Sequence, residues 1–308
     1  MKIVLFFIDG LGIGRQDTQY NPSVYSQKHY LDLFQDEKRF EPVPFHGLWK
    51  GLDATLGVPG LPQSATGQTA ILTGINPAKI LGYHLNGFPN KRLREVLMEN
   101  SILKRIKEMG FTVDFLNTYR PPFFERDLDE KMKRASCSTV STLASGIPFH
   151  SQKDLFSRES ICHDLTNEVF LDNGFEAPLF TPVESGQILA RAIQRTDFLM
   201  FEFFLTDLVG HAQDMNRAKR ELQKLEDFLE SALSNIDLTQ CTFIIISDHG
   251  NFEDLSIRSH TKNPALFTVW GQHAGTFFER CNSIQDPYHV ILEIAKREAY
   301  FVKMNDSL

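Results

Sequence analysis

The stretch TFIIISDHGNFEDLSIRSH, from Thr242 to His260, decides the fold of this chain. It begins with an uninterrupted run of β-branched and aromatic residues, Thr242–Ile246. Such a run is too short for a helix and is typical of a strand buried on both faces of a parallel sheet. Asp248 and His249 follow it, and open α/β sheets place their ligands at the carboxyl ends of such strands. Taken alone, the stretch has two interpretations, a capped turn or a metal site.

The composition is that of a globular protein with a large core. The 308 residues are 42% hydrophobic, which fits one α/β domain with a modest insertion. A net charge of -7 and a pI near 5.8, without a long basic run, argue against a nucleic-acid partner. The four cysteines form no CxxC pair, and the first apolar run is too short for a signal peptide or a membrane span. We therefore expect a cytoplasmic protein with reduced thiols and no membrane contact.

Two other apolar runs are also followed by an acid. The run from Lys2 to Ile8 precedes Asp9-Gly10-Leu11-Gly12, and the run FLMFEFFL precedes Asp207. An Asp-Gly turn is the plain structural interpretation of the first. If the three runs are strands of one doubly wound sheet, however, their acids converge at one edge. Three acids and three imidazoles are then the ligand inventory of two adjacent divalent ions: Asp9, Asp207, Asp248, His211, His249 and His260.

The segment from Gly57 to Gly74 predicts a loop that enters a helix at or near Ser64. Glycines and prolines precede Ser64, and small residues with helix-compatible spacing follow it. Unpaired N–H groups at a helix start attract anions, so a hydroxyl there can meet a phosphate. A plain N-cap is the alternative, and Thr66, Thr69 and Thr73 offer neighbouring hydroxyls.

The whole pattern predicts an α/β fold: a doubly wound, mostly parallel sheet with helices on both faces. Residues 13–63 lack a long periodic segment and are expected to form an irregular excursion over the active face. Further helices are expected over residues 92–109, 184–195, 215–236 and 288–299, with Asp214 as an N-cap, and short strands over 112–116 and 265–270.

Residues 123–182 lose the alternation of strands and helices. We expect them to form a small insertion or lid within one catalytic domain that spans residues 1–308. They contain Cys162-His163-Asp164, and a lone His of this kind more often satisfies local hydrogen bonds than binds a ligand.

Together the motifs resemble the alkaline phosphatase superfamily. Within it, the likeness is to the metalloenzyme branch that contains cofactor-independent phosphoglycerate mutase and phosphopentomutase. The motifs follow the family's order and cover its catalytic core. They are Asp9-Gly10-x-Gly12, Ser64-x-x-Gly67 with Thr73-Gly74, Asp207-x-x-Gly210-His211, Asp248-His249-Gly250-Asn251 and His260-Thr261-x-Asn263-Pro264.

The resemblance implies two divalent metal ions, either Zn²⁺ or Mn²⁺. It assigns Asp9, Asp248, His249 and the nucleophile to one ion, and Asp207, His211 and His260 to the other. The nucleophile position falls on Ser64, because the spacing to Gly67 and Gly74 matches the family. Two such ions about 4 Å apart would activate the hydroxyl and polarise the phosphoryl group, which implies a phosphoserine intermediate.

Two departures from that branch bear on the reaction. Its phosphoglycerate mutases carry a large inserted domain where this chain has only residues 123–182, and its mutases have a His where this chain has Gln68. A mutase must keep water from its free intermediate while that intermediate reorients, which is the task of a large lid. We therefore expect a hydrolase of phosphate esters. The alternatives are a phosphomutase or phosphotransferase, and a relative that binds metal or ligand without turnover; a sulfatase is disfavoured, since no Cys occupies the nucleophile position.

The expected partner is a small phosphorylated substrate, and the sequence gives no indication of the oligomeric state. The candidates to meet the substrate's charge are His84, Arg120, Arg134 and Lys262. Each of these residue types is more often a solvated surface group. His273 is the fallback ligand should His260 point away from the site.

Overall fold

A mixed sheet with helices on both faces forms the centre of the fold. The computed structural model describes residues 1–35 and 43–305, and side chains up to residue 300. The strands of this described part are β1 (Ile3–Ile8), β2 (Leu48–Leu52), β3 (Val113–Phe115), β4 (Phe198–Phe203), β5 (Thr242–Ile246) and β6 (Ala265–Gly271). They make one six-stranded sheet in the order β2-β6-β5-β1-β4-β3. The strands β3, β4, β1 and β5 run parallel, whereas β6 is antiparallel to both of its neighbours, β5 and β2.

The helices follow the strands in chain order. Those of the described residues are α1 (Ser64–Thr73), α2 (Pro77–Leu81), α3 (Lys91–Asn100), α4 (Ile102–Glu108), α5 (Pro121–Glu125), α6 (Leu128–Lys133), α7 (Cys137–Ser145), α8 (Gln152–Phe156), α9 (Glu168–Asp172), α10 (Pro182–Arg195), α11 (Leu205–Ala212), α12 (Met215–Ser234), α13 (Ala274–Arg280) and α14 (Asp286–Asn305). Two short 3₁₀ helices, Pro22–Tyr25 and Pro44–His46, precede β2.

Strand β1 shows how the sheet separates two cores. Its residues alternate in direction, so that Phe6 belongs to one hydrophobic cluster and Leu5 to the other. The ring of Phe6 lies 5.4 Å from that of Phe201 on β4 and 5.3 Å from that of Phe228 on α12. Helices α10 and α12 cover this face, and α1, α4 and α14 are among those that cover the opposite face. The predicted doubly wound, mostly parallel architecture is confirmed.

Several predicted elements differ in detail. The single helix expected over residues 92–109 is two helices, because the chain leaves helical geometry at Ser101, whose side chain caps α4 and contacts Ser141. The irregular stretch expected over 13–63 contains the edge strand β2, which is half-exposed and therefore lacks a continuous apolar run; its residues 36–42 lie outside the described part of the chain. The N-cap role of Asp214 is confirmed, since its side chain accepts a hydrogen bond from the Arg217 backbone.

The segment predicted as an insertion consists of short helices and the loops between them. It contains α6 to α9 and most of α5, and residues 117 and 118 beside it form isolated bridges to residues 161 and 150. Within residues 1–35 and 43–305, no helix has the length and apolar character needed to cross a membrane.

Candidate metal centre

Three neighbouring parallel strands bring the predicted acids together. Strand β1 lies between β4 and β5, with Phe7 opposite Ile246 and Ile8 opposite Phe203. Asp9 follows β1 directly, and its backbone N–H donates to the Phe203 carbonyl at 2.9 Å. The carboxyl ends of the three strands therefore form a common edge, as the sequence predicted.

The first cluster consists of Asp9, Asp248 and His249, all buried. The Nε2 atom of His249 lies 3.3 Å from an oxygen of Asp9 and 3.4 Å from an oxygen of Asp248. The hydroxyl of Ser64 reaches the same nitrogen at 3.0 Å. Three oxygen atoms thus surround one imidazole nitrogen.

The second cluster consists of Asp207, His211 and His260. Asp207 and His211 lie one turn apart on α11, because β4 ends at Phe203 and the chain turns at once into a helix. The Nε2 atom of His211 is 3.3 Å from Asp207 and 3.2 Å from the Nε2 atom of His260. His260 in turn lies 3.5 Å from Asp207.

Backbone carbonyls orient the imidazoles of the second cluster. The Nδ1 atom of His260 lies 2.9 Å from the Pro62 carbonyl oxygen, and that of His211 lies 2.6 Å from the Arg258 carbonyl oxygen. A carbonyl only accepts, so each Nδ1 donates its proton, and in the neutral ring the Nε2 atom is then free to bind a metal. Both rings therefore present the tautomer that binds a metal through Nε2.

The donor set fits divalent cations in spacing and in chemistry. Ligands about 2.1 Å from a tetrahedrally coordinated ion are about 3.4 Å from one another, and the nitrogen–oxygen and nitrogen–nitrogen separations in the two clusters fall between 3.0 and 3.5 Å. Asp9 Oδ1 and Asp248 Oδ2 are buried and have no hydrogen-bond partner among the described residues. A bound cation would satisfy both oxygens.

The electrostatics of the first cluster agree with this fit. Burial, together with the neighbouring carboxylates, raises the pKa of Asp9 well above its usual range. Burial also raises the pKa of Asp248 to about 8, and it lowers the pKa of His249 to about 3, with a further contribution from the charge of His260. Two carboxylates beside a neutral imidazole repel each other in a buried site and become favourable partners once a dication lies between them.

In the second cluster the pKa shifts have the opposite directions: that of the aspartate is lowered and that of His260 is raised. Burial alone would raise the pKa of Asp207, but hydrogen bonds from His260 and Asn251 and the charge of His260 lower it to about 2. Burial lowers the pKa of His260, but the hydrogen bonds to Asp207 and to the Pro62 carbonyl and the charges of Asp207 and Asp248 together outweigh burial, so the pKa is raised. In the described structure Asp207 and His260 thus stabilise each other as an ion pair.

Ser64 is the first residue of α1, and Gln63 occupies the N-cap position without a side-chain hydrogen bond to the helix. The hydroxyls of Thr66, Thr69 and Thr73 donate to carbonyls of the preceding turn. The Ser64 hydroxyl instead contacts His249. The geometry therefore separates Ser64 from the neighbouring hydroxyls that the sequence left open.

A cleft of about 530 Å³ opens beside the two clusters. Its lining includes Asp9, Ser64 and Asp207 and extends to Arg120 and Arg134. Neither arginine is neutralised by a carboxylate: Arg120 donates to the amide oxygen of Asn173, and Arg134 has no hydrogen-bond or ion-pair partner among the described residues. The structure thus brings two of the four predicted substrate-binding residues to the site.

The other two predicted substrate-binding residues lie outside this lining. The Nε2 atom of His84 is 3.2 Å from the Val58 carbonyl oxygen, and Lys262 is exposed. The fallback ligand His273 is remote, because it lies at the amino end of β5 and its N–H donates to Thr242. His260 points into the site, so the fallback is not needed.

Three cleft residues were not among the predicted site residues. His163 stacks on Phe204 with 4.0 Å between ring centroids, and burial lowers its pKa to about 4. Gln68 donates to Asp9 at 3.1 Å. Glu202 lies inside β4 and accepts a hydrogen bond from Ser138; burial raises its pKa to about 7 although that hydrogen bond opposes the shift. A single acid within the apolar run FLMFEFFL was the one available signal for Glu202.

Comparison with known proteins identifies the family of this chain. The model of the metalloenzyme superfamily matches residues 1–294. The 2,3-bisphosphoglycerate-independent phosphoglycerate mutase of Malacoplasma penetrans is 29% identical over 98 residues, which are 30% of this chain and 20% of that protein. The corresponding mutase of Desulforudis audaxviator is 24% identical over 108 residues, 33% of this chain and 21% of that protein. The matched part of the chain spans about a fifth of the length of these curated relatives.

Solved structures agree on the fold. The PH0037 protein of Pyrococcus horikoshii superimposes with a TM-score of 0.53 at 14% identity, over 88% of this chain and 85% of that one. A mutant alkaline phosphatase from the Antarctic bacterium TAB5 gives a TM-score of 0.50 at 12% identity, over 96% of this chain and 97% of that one. At these identities the likeness is one of architecture.

Proposed function

The chain belongs to the metalloenzyme superfamily, and from that premise we propose that it is a phosphoryl-transfer enzyme that uses two divalent cations to hydrolyse phosphate esters through Ser64. One observation carries the proposal. The Ser64 hydroxyl lies 3.0 Å from His249 in the first cluster, and the second cluster lies directly beside it, since the rings of His249 and His260 stack at 3.7 Å. A nucleophile beside two adjacent cation sites is the arrangement that phosphoryl transfer requires.

Each cluster would hold one ion, Zn²⁺ or Mn²⁺. The first ion would be held by Asp9, Asp248, His249 and Ser64, and the second by Asp207, His211 and His260. When bound, the cations would lower the pKa of the Ser64 hydroxyl and neutralise negative charge on the phosphoryl oxygens and the leaving group.

The chain itself positions the reacting groups. Ser64 opens a ten-residue helix, whose unpaired N–H groups attract the oxygens of a phosphate. In the proposed reaction the Ser64 hydroxyl releases its proton to solvent and its oxygen bonds to phosphorus as the ester P–O bond breaks, and the alcohol leaves with a proton from solvent. Water then cleaves the phosphoserine and releases inorganic phosphate. His249 is poorly suited to act as a general base in this step, because its imidazole is buried among ligand atoms and has a depressed pKa.

The cleft would receive the remainder of the substrate. Its volume of about 530 Å³ accommodates a small phosphorylated metabolite. Arg120 and Arg134 are the cations of this cleft that can pair with substrate charge. Their guanidinium groups would orient the substrate and not take part in bond cleavage.

The hydrolase proposal is tested by Ser64→Ala. The purified wild-type protein, loaded with Mn²⁺ or with Zn²⁺ in parallel samples, should hydrolyse p-nitrophenyl phosphate. The activity of the variant should be lower by several orders of magnitude. Full activity of the variant would overturn the proposal. Absence of turnover in the wild-type chain across a panel of phosphate esters, with both ions supplied, would favour a relative that binds without turnover.

A phosphomutase is the second candidate, because the curated relatives that match this chain are phosphoglycerate mutases. Residues between 134 and 170 also line one side of the cleft and would limit the access of water to a phosphorylated Ser64. The two reactions differ in their products. Stoichiometric release of inorganic phosphate from phosphorylated metabolites supports the hydrolase, whereas an isomeric phosphate ester with little release of phosphate supports the mutase.

A further inference from the structure

We infer that Glu253 is a positioning residue for both candidate ion sites, because its carboxylate holds together the three chain segments that present their ligands. This inference rests on the proposed two-cation centre. Glu253 is 2% exposed and has no ion-pair partner within residues 1–35 and 43–305. A buried carboxylate without a countercharge persists only when hydrogen bonds satisfy both of its oxygens.

Both oxygens of Glu253 are satisfied. One accepts the backbone N–H groups of Gly12 at 2.9 Å and Asn251 at 2.8 Å. The other accepts the Asn263 amide at 2.9 Å and the Thr261 hydroxyl. Four donors from three segments therefore converge on one side chain.

Each of the three segments carries a ligand. Gly12 lies on the turn that follows Asp9, Asn251 lies two residues after His249, and Thr261 adjoins His260. The segments also bond to one another, since the N–H of Thr261 donates to the Gly250 carbonyl at 2.9 Å. The first two segments serve the first cluster, and the third serves the second. Glu253 thus fixes the position of one cluster relative to the other.

Two glycines of the family motifs make room for this carboxylate. A Cβ atom at Gly12 would lie 2.5 Å from the carboxyl carbon of Glu253, and one at Gly250 would lie 2.3 Å from a carboxyl oxygen. Any side chain at either position would displace the carboxylate from its donors. The glycine at position 12 is therefore explained by the space that Glu253 occupies, and the glycine at position 250 by the space that Glu253 and its donor Thr261 occupy together.

Glu226 provides a matched control elsewhere in the molecule. It is 0% exposed and accepts hydrogen bonds from the N–H groups of Gln27, Lys28 and Tyr30 and from the Ser26 hydroxyl. It lies on α12 and anchors residues 26–30, none of which belongs to either cluster. Truncation of either glutamate removes four hydrogen bonds to a buried carboxylate, but only truncation of Glu253 releases ligand-bearing segments.

The experiment measures cation affinity without turnover. Metal-free wild-type protein and its Glu253→Ala, Glu253→Gln, Glu226→Ala and Glu226→Gln variants are titrated with Mn²⁺ by calorimetry, and their Tm values are recorded with and without the ion. We expect Glu253→Ala to bind Mn²⁺ about tenfold to a hundredfold more weakly. Glu253→Gln should lose much less, since its amide oxygen can still accept both backbone N–H groups. The Glu226 variants should have a lower Tm and wild-type affinity.

Equal Mn²⁺ affinity of Glu253→Ala and wild type overturns the inference, and so does an equal loss in Glu226→Ala. Should Glu253→Ala fail to fold, Gly12→Ala displaces the carboxylate while the acid is retained, and it should weaken Mn²⁺ binding in the same way. Wild-type affinity in both Gly12→Ala and Glu253→Gln then overturns the inference. A wild-type chain that binds neither Mn²⁺ nor Zn²⁺ would instead overturn the proposed function.

Discussion

The imidazole rings of His249 and His260 stack with 3.7 Å between their centroids and 15° between their planes. His249 belongs to the first cluster and His260 to the second, so the two candidate ion sites adjoin each other at this pair of stacked rings. Two stacked imidazole rings would repel each other if both were positively charged. Burial and the charge of His260 accordingly lower the pKa of His249 to about 3, so His249 is neutral. The stretch from Thr242 to His260 therefore supplies one side of each site.

His260→Ala should reduce the number of tightly bound ions from about two to about one per chain. The substitution removes the Nε2 atom that faces both His211 and Asp207, whereas the first cluster keeps Asp9, Asp248 and His249. Elemental analysis of protein dialysed against limiting Zn²⁺ measures the ratio. His273→Ala is the control and should bind two ions, because His273 lies at the far end of β5. Two ions in His260→Ala would show that the second cluster is not a site.

Arg134→Gln should raise the KM for a phosphorylated substrate about tenfold with little change in kcat. A charge-assisted hydrogen bond contributes about 1.5 kcal/mol, which is slightly more than a factor of ten, and Arg134 lies in the cleft lining but in neither cluster. Lys133→Gln removes the same charge one residue away and outside the lining, so it should behave as wild type. Steady-state kinetics of both variants make the comparison. Equal effects would assign the change to net charge alone.

Glu202→Gln should remove a pH dependence of stability between about pH 4.5 and pH 7. Burial raises the pKa of Glu202 from 4.5 to about 7, so within this window the folded chain keeps a proton that the unfolded chain has lost. The free energy of unfolding therefore falls as the pH rises, by up to about 3 kcal/mol. Urea denaturation in the presence of a chelator should give equal stabilities at pH 4.5, and the variant should be more stable at pH 8. A constant difference between the two proteins across this range would contradict the prediction.

The edge of the sheet could be predicted because three strands are buried on both faces. Strands β1, β4 and β5 appear as apolar runs, and the acids that follow them converge because these strands are neighbours. A strand buried on both faces is apolar at nearly every position, so it can be recognised in the sequence. The same argument fails for β2, where only Leu52 is fully buried. An edge strand with one covered face has no continuous apolar signal.

The cleft could be predicted only in part, because its walls come from distant segments. Arg120 and Arg134 were candidates by charge alone, as were His84 and Lys262, and nothing in their local sequence distinguishes the two pairs. His163 was interpreted as a residue with a local structural role, yet it stacks on Phe204 at the cleft wall. That contact depends on how the helical residues 123–182 pack beside β4. Packing between segments far apart in sequence leaves no periodic pattern.

Gly67→Ala should lower kcat by about a hundredfold while cation binding by the second cluster persists. A Cβ atom at Gly67 would lie 2.7 Å from the Cβ atom of Asp248 and 2.8 Å from its carbonyl oxygen, so α1 would have to move away from β5. A shift of about 1 Å would carry Ser64 out of contact with His249, and displacements of that size cost about a hundredfold in rate. Gly275→Ala in α13 is the matched control, because a Cβ atom there meets nothing within 4 Å. Wild-type kcat in Gly67→Ala would show that the close approach of α1 to Asp248 does not position the nucleophile.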